Sequence, residues 1–241
     1  AWNLDGRTLA AASFDYTTTV WKASKDDPTK YSFVTWLSGH ESEVKHVAWS
    51  PDGTKLASCS RDKSIIIYEP QERNDFEYDT HGVLNGHSQD VKMIKFNSKL
   101  NLLFSSSYDD TIRSWRFDEA VDDWLQNYTM KGHKSTVWAF DFDASEQFLV
   151  SVSEDKELLI WMIGDKQHKC CGRIISPHTW SIYSVSWSKK GNYIATGGGD
   201  NKVYVYEINW DSLFSEEGEF EYIVVAETDN ENGHINDVNC V

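Results

Sequence analysis

Gly86-His87-Ser88-Gln89-Asp90-Val91-Lys92 opens a stretch that runs through Ser105, Ser107-Tyr108-Asp109-Asp110-Thr111-Ile112 and Trp115, and its spacing recurs along the chain. Asp15, Asp62, Asp109, Asp155 and Asp200 stand 47, 47, 46 and 45 residues apart, and an aromatic follows each by six residues (Trp21, Tyr68, Trp115, Trp161, Tyr206). His40, His87, His133 and His178 each precede the next of these aspartates by 22 residues. A further Gly-His pair, Gly233-His234, lies near the end. Such regularity is one supersecondary unit, copied. Inside a unit, apolar residues alternate with period two, as in strands. The second unit predicts strands over 44–49, 55–60 and 64–68, and a fourth that ends just before the next Gly-His. Ser50-Pro51-Asp52-Gly53 reads as the first turn, with glycine able to take a positive φ.

Four strands per unit with a Gly-His mark resembles the WD40 repeat. The resemblance implies an all-β propeller of four-stranded blades, about seven in an intact ring. One domain, 1–241, then divides into units 1–38, 39–85, 86–131, 132–176 and 177–232 and a partial 233–241. Trp2 aligns with Trp49 and Val238 with Val44, so both ends are expected to lie in first strands of incomplete repeats.

The repeated side chains invite a catalytic reading, which their repetition answers. His87, Ser105, Asp109 and Trp115 make one complete set, and His133, Ser151, Asp155 and Trp161 another; His40, Ser58 and Asp62 belong to a third with Tyr68 in place of tryptophan. A nucleophile site needs one such set in one cleft. The WD40 resemblance implies structure instead: the turn aspartate bonds the imidazole, which bonds the serine, which bonds the indole N–H. Such a buried polar chain is stable only when every member is satisfied. Tyr68 and Tyr206 lose the indole, and Ala11 stands where the first unit needs serine, so those units are expected to depend more on packing.

Composition narrows the class further. Eleven each of Trp, Tyr and Phe and 40% hydrophobic residues suffice for a large core. No apolar run approaches the ~20 residues of a membrane helix, and the opening Ala1-Trp2-Asn3-Leu4 is no secretory signal. Four cysteines without CxxC spacing suit a reducing compartment. A net charge of −15 argues against a nucleic-acid binder. No catalytic residue, metal site or cofactor is expected: the repeat accounts for five of the eight histidines, Cys170-Cys171 reads as outer-strand packing, and Gly197-Gly198-Gly199 lacks the following helix of a phosphate loop. Asn127-Tyr128-Thr129 is a formal sequon, and the acidic stretches 118–123 and 216–221 read as solvated loops.

Propellers bind partners at one rim, reached by the residue before each turn aspartate and by the starts of the first strands. Here those positions hold Phe14, Arg61, Tyr108, Glu154 and Gly199, and Glu43 with Lys45, Asp90 with Lys92, Thr136 with Trp138, Ser181 with Tyr183, and Asp237 with Asn239. Lys45, Arg61 and Lys92 with Tyr108 and Trp138 form the candidate recognition rim, since arginine and exposed aromatics dominate binding hot spots. The plainer alternative is that Arg61 pairs with Glu43.

Gly39-His40-Glu41-Ser42-Glu43-Val44-Lys45, Cys59-Ser60-Arg61-Asp62-Lys63-Ser64, Asp122-Asp123-Trp124, Lys131-Gly132-His133-Lys134-Ser135-Thr136-Val137-Trp138 and Asn236-Asp237-Val238-Asn239-Cys240 carry a closer resemblance, together with the 86–92 and 107–112 stretches quoted first. They are similar to the WD40 subunit of the cytosolic iron–sulfur protein assembly targeting complex. That resemblance weakens over 163–180 and 207–232. It implies a non-catalytic adaptor, cytoplasmic and nuclear, that helps deliver 4Fe–4S clusters to apoprotein clients. Its partners would be a small thiol-bearing subunit, a large helical-repeat subunit and an iron-only-hydrogenase-like protein, and Arg61 would be an exposed functional arginine. The competing readings are a generic WD40 scaffold, such as a ubiquitin-ligase receptor or chromatin reader, and an enzyme or metal carrier in its own right.

Overall fold

The computed structural model describes residues 1–71, 74–165, 167–213, 220–228 and 233–241. β1 (Thr8–Ala12), β2 (Thr18–Ala23) and β3 (Tyr31–Leu37) form a three-stranded sheet. β4 (Val44–Trp49), β5 (Leu56–Ser60), β6 (Ser64–Gln71) and β7 (Asn74–Asn85) form a four-stranded one, as do β8 (Val91–Asn97), β9 (Leu102–Ser107), β10 (Thr111–Asp118) and β11 (Asp123–Lys131). Two more consist of β12 (Val137–Phe142), β13 (Phe148–Ser153), β14 (Glu157–Ile163) and β15 (His168–Ile175), and of β16 (Ile182–Trp187), β17 (Tyr193–Gly198), β18 (Val203–Ile208) and β19 (Tyr222–Glu227). The short helix α1 (Trp210–Leu213) precedes β19. In each sheet the strands lie side by side in chain order.

The strands expected over 44–49 and 55–60 are β4 and β5, and β7 ends directly before Gly86 as the repeat required. Gly53 has φ +74° and donates its N–H to the Ser50 carbonyl at 2.9 Å, which closes the expected turn. The N-terminal end follows the repeat: Trp2 bridges Leu9 as Trp49 pairs with Leu56, and the turn closed by Gly6 N–H to Asn3 O (3.0 Å) matches that of Gly53 N–H to Ser50 O (2.9 Å), although the first sheet has three strands. Residues 233–241 form no strand; Val238 is nevertheless buried and donates its N–H to Gly198 O (3.0 Å), as Val44 does to Ser13 O (3.0 Å).

The described chain forms two compact units, Ala1–Asp109 with Arg113–Asn127 and Asp110–Ile112 with Tyr128–Val241. In the first, β6 shows why its stretch 65–68 is apolar throughout. Ile65 and Ile67 point into one cluster with Cys59, Val91, Ile94, Leu103 and Trp115. Ile66 and Tyr68 point the other way, into a cluster with Ala10, Val20, Val44 and Leu56. Alternation places both faces in core, so neither carries polar residues. In the second unit, Asp141 is buried on β12 and accepts the Trp187 N–H of β16 at 2.8 Å, which ties adjacent sheets by a charge-assisted bond.

The polar sets form the expected hydrogen-bonded chains. His87 Nδ1 lies 2.8 Å from Asp109 Oδ2, its Nε2 lies 2.8 Å from Ser105 Oγ, and Trp115 Nε1–H donates to that Oγ at 2.9 Å. The His133, Ser151, Asp155 and Trp161 set repeats the pattern at 3.0, 2.7 and 2.9 Å. His40 bonds Asp62 and Ser58, and His178 bonds Asp200 and Thr196. Burial lowers the His87 pKa against the opposing pull of Asp109. Where tyrosine replaces tryptophan, packing is not the only hold. The Tyr68 hydroxyl donates to Ser38 O (3.4 Å) and the Tyr206 hydroxyl pairs with Ser176 Oγ (2.6 Å), two equivalent positions before the histidine. In the first sheet, with Ala11 at the serine position, Trp21 Nε1–H donates to Thr19 Oγ1 (3.0 Å) instead.

Ser105→Ala removes the acceptor of Trp115 and the partner of His87 together, both buried. It should cost about 2–4 kcal/mol in urea unfolding, against about 1 kcal/mol for Tyr206→Phe; equal costs would show that the serine relay carries no special weight. Acid should also act early. Burial pushes His46 and His168 down to about 4, so from about pH 6.5 downward the unfolded chain binds protons that the folded chain refuses. Stability is then lost as pH falls from about 6.5 to 4, and the urea midpoint should be lower at pH 5 than at pH 7.5, less so in His168→Phe.

Candidate protein-interaction rim

One backbone device presents the rim residues. The residue after each turn aspartate lies in the left-handed region: Tyr16 (φ 75°), Lys63 (76°), Asp110 (65°), Lys156 (68°) and Asn201 (65°). None is glycine, so each position carries a strain that the surrounding bonds must hold. In the four turns with a histidine, the aspartate accepts the N–H after it, from Glu41 to Asp62 (2.9 Å), Ser88 to Asp109 (3.0 Å), Lys134 to Asp155 (2.9 Å) and Thr179 to Asp200 (2.8 Å). The residue before the aspartate is pinned across the gap, Arg61 N–H to Glu43 O, Tyr108 to Asp90 O and Glu154 to Thr136 O (each 3.0 Å), and Gly199 to Ser181 O (2.9 Å).

A second device sits in each first strand. The register slips between Val44 and His46, Val91 and Met93, Val137 and Ala139, and Ile182 and Ser184. The skipped residues are Lys45, Lys92, Trp138 and Tyr183. A bulge re-aims the side chain of its extra residue, and here it does so at the same rim position four times.

In the first unit these devices bring cations onto rings. Lys45 Nζ stands 4.1 Å from the centroid of Phe14, and Lys92 Nζ stands 3.7 Å from that of Tyr108 and 3.6 Å from Asp90 Oδ2. Arg61 Nη1 pairs with Glu43 Oε1 at 3.1 Å, so the plainer alternative is also true. The pair does not consume the arginine: its side chain stays 59% exposed, against 22% for Glu43. A hydrogen bond from the Ser42 hydroxyl (2.5 Å), aided by Arg61, holds Glu43 down to about 2. Glu43 therefore remains an anion that orients Arg61 at any physiological pH.

The second unit carries rings without such lysines. Trp138 and Tyr183 meet edge to face, centroids 5.0 Å apart at 85°. Glu154 is exposed and accepts the Ser135 hydroxyl at 2.8 Å. Trp180, 62% exposed, was not among the residues that the sequence pattern marked. Its signal was available, because the position two after the histidine is Ser42, Gln89 and Ser135 in the other repeats.

The remaining candidates lie elsewhere in the sheets and turns. Asp118 and Asp123 end and begin β10 and β11 across an exposed turn, while 216–219 of the second acidic stretch lie outside the described residues. Cys170 and Cys171 lie on β15, and burial raises both thiols. Among the described residues no group of three or more His, Cys, Asp or Glu is placed to hold a metal, and no helix is long and apolar enough to cross a membrane.

Residues 31–69, 79–116, 124–162 and 169–207 match the WD domain, G-beta repeat. Over 236 residues the chain is 38% identical to the probable cytosolic iron-sulfur protein assembly protein 1 of Vanderwaltozyma polyspora, covering 89% of this chain and 67% of that protein. The chain belongs to the WD40 repeat family and, within it, to the family of that relative. It is also 42% identical over 107 residues to the probable cytosolic iron-sulfur protein assembly protein CIAO1 homolog of Ixodes scapularis, and 31% over 110 residues to the protein transport protein sec13 of Schizosaccharomyces pombe. Those alignments cover 43% and 44% of this WD40 chain and span only 33% and 37% of the relatives' lengths.

Burial lowers Lys92 to about 8, with Asp90 opposing and Lys45 adding to the effect. The WD40 chain should therefore lose the Lys92 charge, and its attraction to Tyr108, above about pH 8. Isotope-labelled dimethyl-lysine spectra of the protein should show one lysine titrating about two units below the rest and vanishing in Lys92→Arg; a uniform lysine titration would contradict the burial.

Proposed function

We propose that this WD40 chain is a non-catalytic adaptor of cytosolic iron–sulfur protein assembly, and that the rim of its first unit holds a partner or client. The observation that carries the reading is the exposed Arg61, oriented by Glu43, with Lys45 and Lys92 seated on Phe14 and Tyr108. Three cations set among aromatic faces suit an acidic or carboxylate-terminated tail that ends in an aromatic residue. Arginine grips a carboxylate with two parallel bonds, and the rings cover apolar surface beside it. The turn and bulge geometry fixes these groups before binding, so little ordering cost falls on the complex.

The assembly role rests on the relatives' names and on the family, and with it come the proposed partners: a small thiol-bearing subunit, a large helical-repeat subunit, an iron-only-hydrogenase-like protein and apoprotein clients in cytosol and nucleus. Trp138, Glu154 and Tyr183 of the second unit would add a further contact surface. The similarity to sec13 favours one other reading, a WD40 scaffold in a different assembly.

Affinity capture of the full-length protein from cell extract, wild type beside Arg61→Glu, separates the two. Iron–sulfur assembly factors should co-purify with wild type, and the variant should lose one of them or their clients while its thermal unfolding is unchanged. Capture of transport, ligase or chromatin subunits instead would overturn the function, and identical capture by both proteins would remove Arg61 from the site.

A further inference from the structure

The second unit carries an aromatic surface that the repeat itself does not require. At the position two after the histidine the other repeats hold Ser42, Gln89 and Ser135, small or polar, and they fold with the same turn and bulge. The fourth histidine repeat has Trp180 there, and in the same repeat the residue before the turn aspartate is Gly199 rather than Arg61, Tyr108 or Glu154. The two changes belong together. A Cβ on Gly199 would stand 2.5 Å from Trp180 Cδ1 and 3.0 Å from Tyr183 Cε2, so only glycine lets both rings lie over that backbone. Tyr183 is buttressed edge-on by Trp138, while the Trp180 indole is 62% exposed to solvent. A large apolar ring held open to water, on a position where a serine would serve the fold, is a binding feature.

Charge selects the occupant. In the sheet of β8 to β11 the bulge residue and the residue before the aspartate touch, Lys92 over Tyr108; in that of β16 to β19 they are Tyr183 and Gly199, again in contact range. In the sheet of β12 to β15 the same two positions hold Trp138, which meets the Tyr183 ring, and Glu154. The row therefore ends in a carboxylate, on a chain of net charge −15. Aromatic faces next to an anion attract a cation. The platform is open rather than enclosed, which suits a flat guanidinium that stacks on one ring face and shares hydrogen bonds with a carboxylate, and not the round ammonium that needs a surrounding cage.

We propose that Trp180 and Tyr183, with Glu154 at the end of their row, bind an arginine side chain of a partner polypeptide. The surface lies in the second unit and does not depend on the role given to Arg61 in the first.

The test uses the full chain and a Gly-Arg-Gly-Arg-Gly peptide, with its citrulline and lysine counterparts, followed by titration calorimetry. Trp180→Ala is the informative variant because it leaves net charge untouched, so attraction to the acidic body as a whole would survive it. The arginine peptide should bind wild type, lose about fivefold or more in affinity to Trp180→Ala, weaken with Glu154→Gln, and lose to its citrulline and lysine forms. Equal binding by Trp180→Ala with unchanged thermal unfolding would overturn the site. Equal binding of citrulline would overturn the cation, equal binding of lysine would overturn the guanidinium, and no binding of any peptide would overturn the proposal outright.

Discussion

The imidazole–carboxylate bond across each turn is the contact on which the rest depends. The aspartate after the second strand reaches back to a histidine 22 residues earlier, at 2.8 Å in three repeats and 3.0 Å in the other. That single bond fastens the loop entering a sheet to the hairpin inside it. The carboxylate also takes the N–H after the histidine, so two chain segments share one anion. Burial opposes ionisation there, yet hydrogen bonds and the facing imidazole hold Asp62, Asp155 and Asp200 below the usual carboxylate range. Charge-assisted bonds of this kind back the left-handed residue in four of the turns, and Tyr16 takes the same conformation where Asp15 bonds only Ser13 and Thr17.

The rim is a by-product of that lock. Once the turn and the first strand are pinned to each other, the residue before the aspartate and the bulge residue are presented at fixed points, whatever they are. The turn itself does not dictate the side chain there, though a neighbour can, as Trp180 does at Gly199, and the two units have filled the points differently. The first holds lysines on rings and an arginine on a glutamate; the second holds an indole, a phenol and a carboxylate. The scaffold is constant and its chemistry is interchangeable, as expected where function is set by sites rather than by fold.

Much of this was legible before any coordinates. The 22-residue interval named every histidine–aspartate pair, and period-two runs located β4 and β5 to within a residue, because a repeat multiplies each weak signal. The last segment was less legible: Val238 takes the place of Val44, with its N–H on Gly198 O, yet residues 233–241 form no strand. The tyrosine hydroxyls also went unread. Tyr68 and Tyr206 look like lost donors until the chain brings Ser38 and Ser176 to them, 30 residues away.

The sequence by itself determined the repeat, the strands, the polar locks and the residues allotted to the rim, because all of these follow from spacing and side-chain chemistry. Only tertiary structure decided what the rim residues touch. The bulges that re-aim Lys45, Lys92, Trp138 and Tyr183 leave no residue signature, since they are slips of register between two strands. Likewise Trp180 and Gly199 stand 19 positions apart, and the reason one must be glycine is a clash that exists only when the turn is closed.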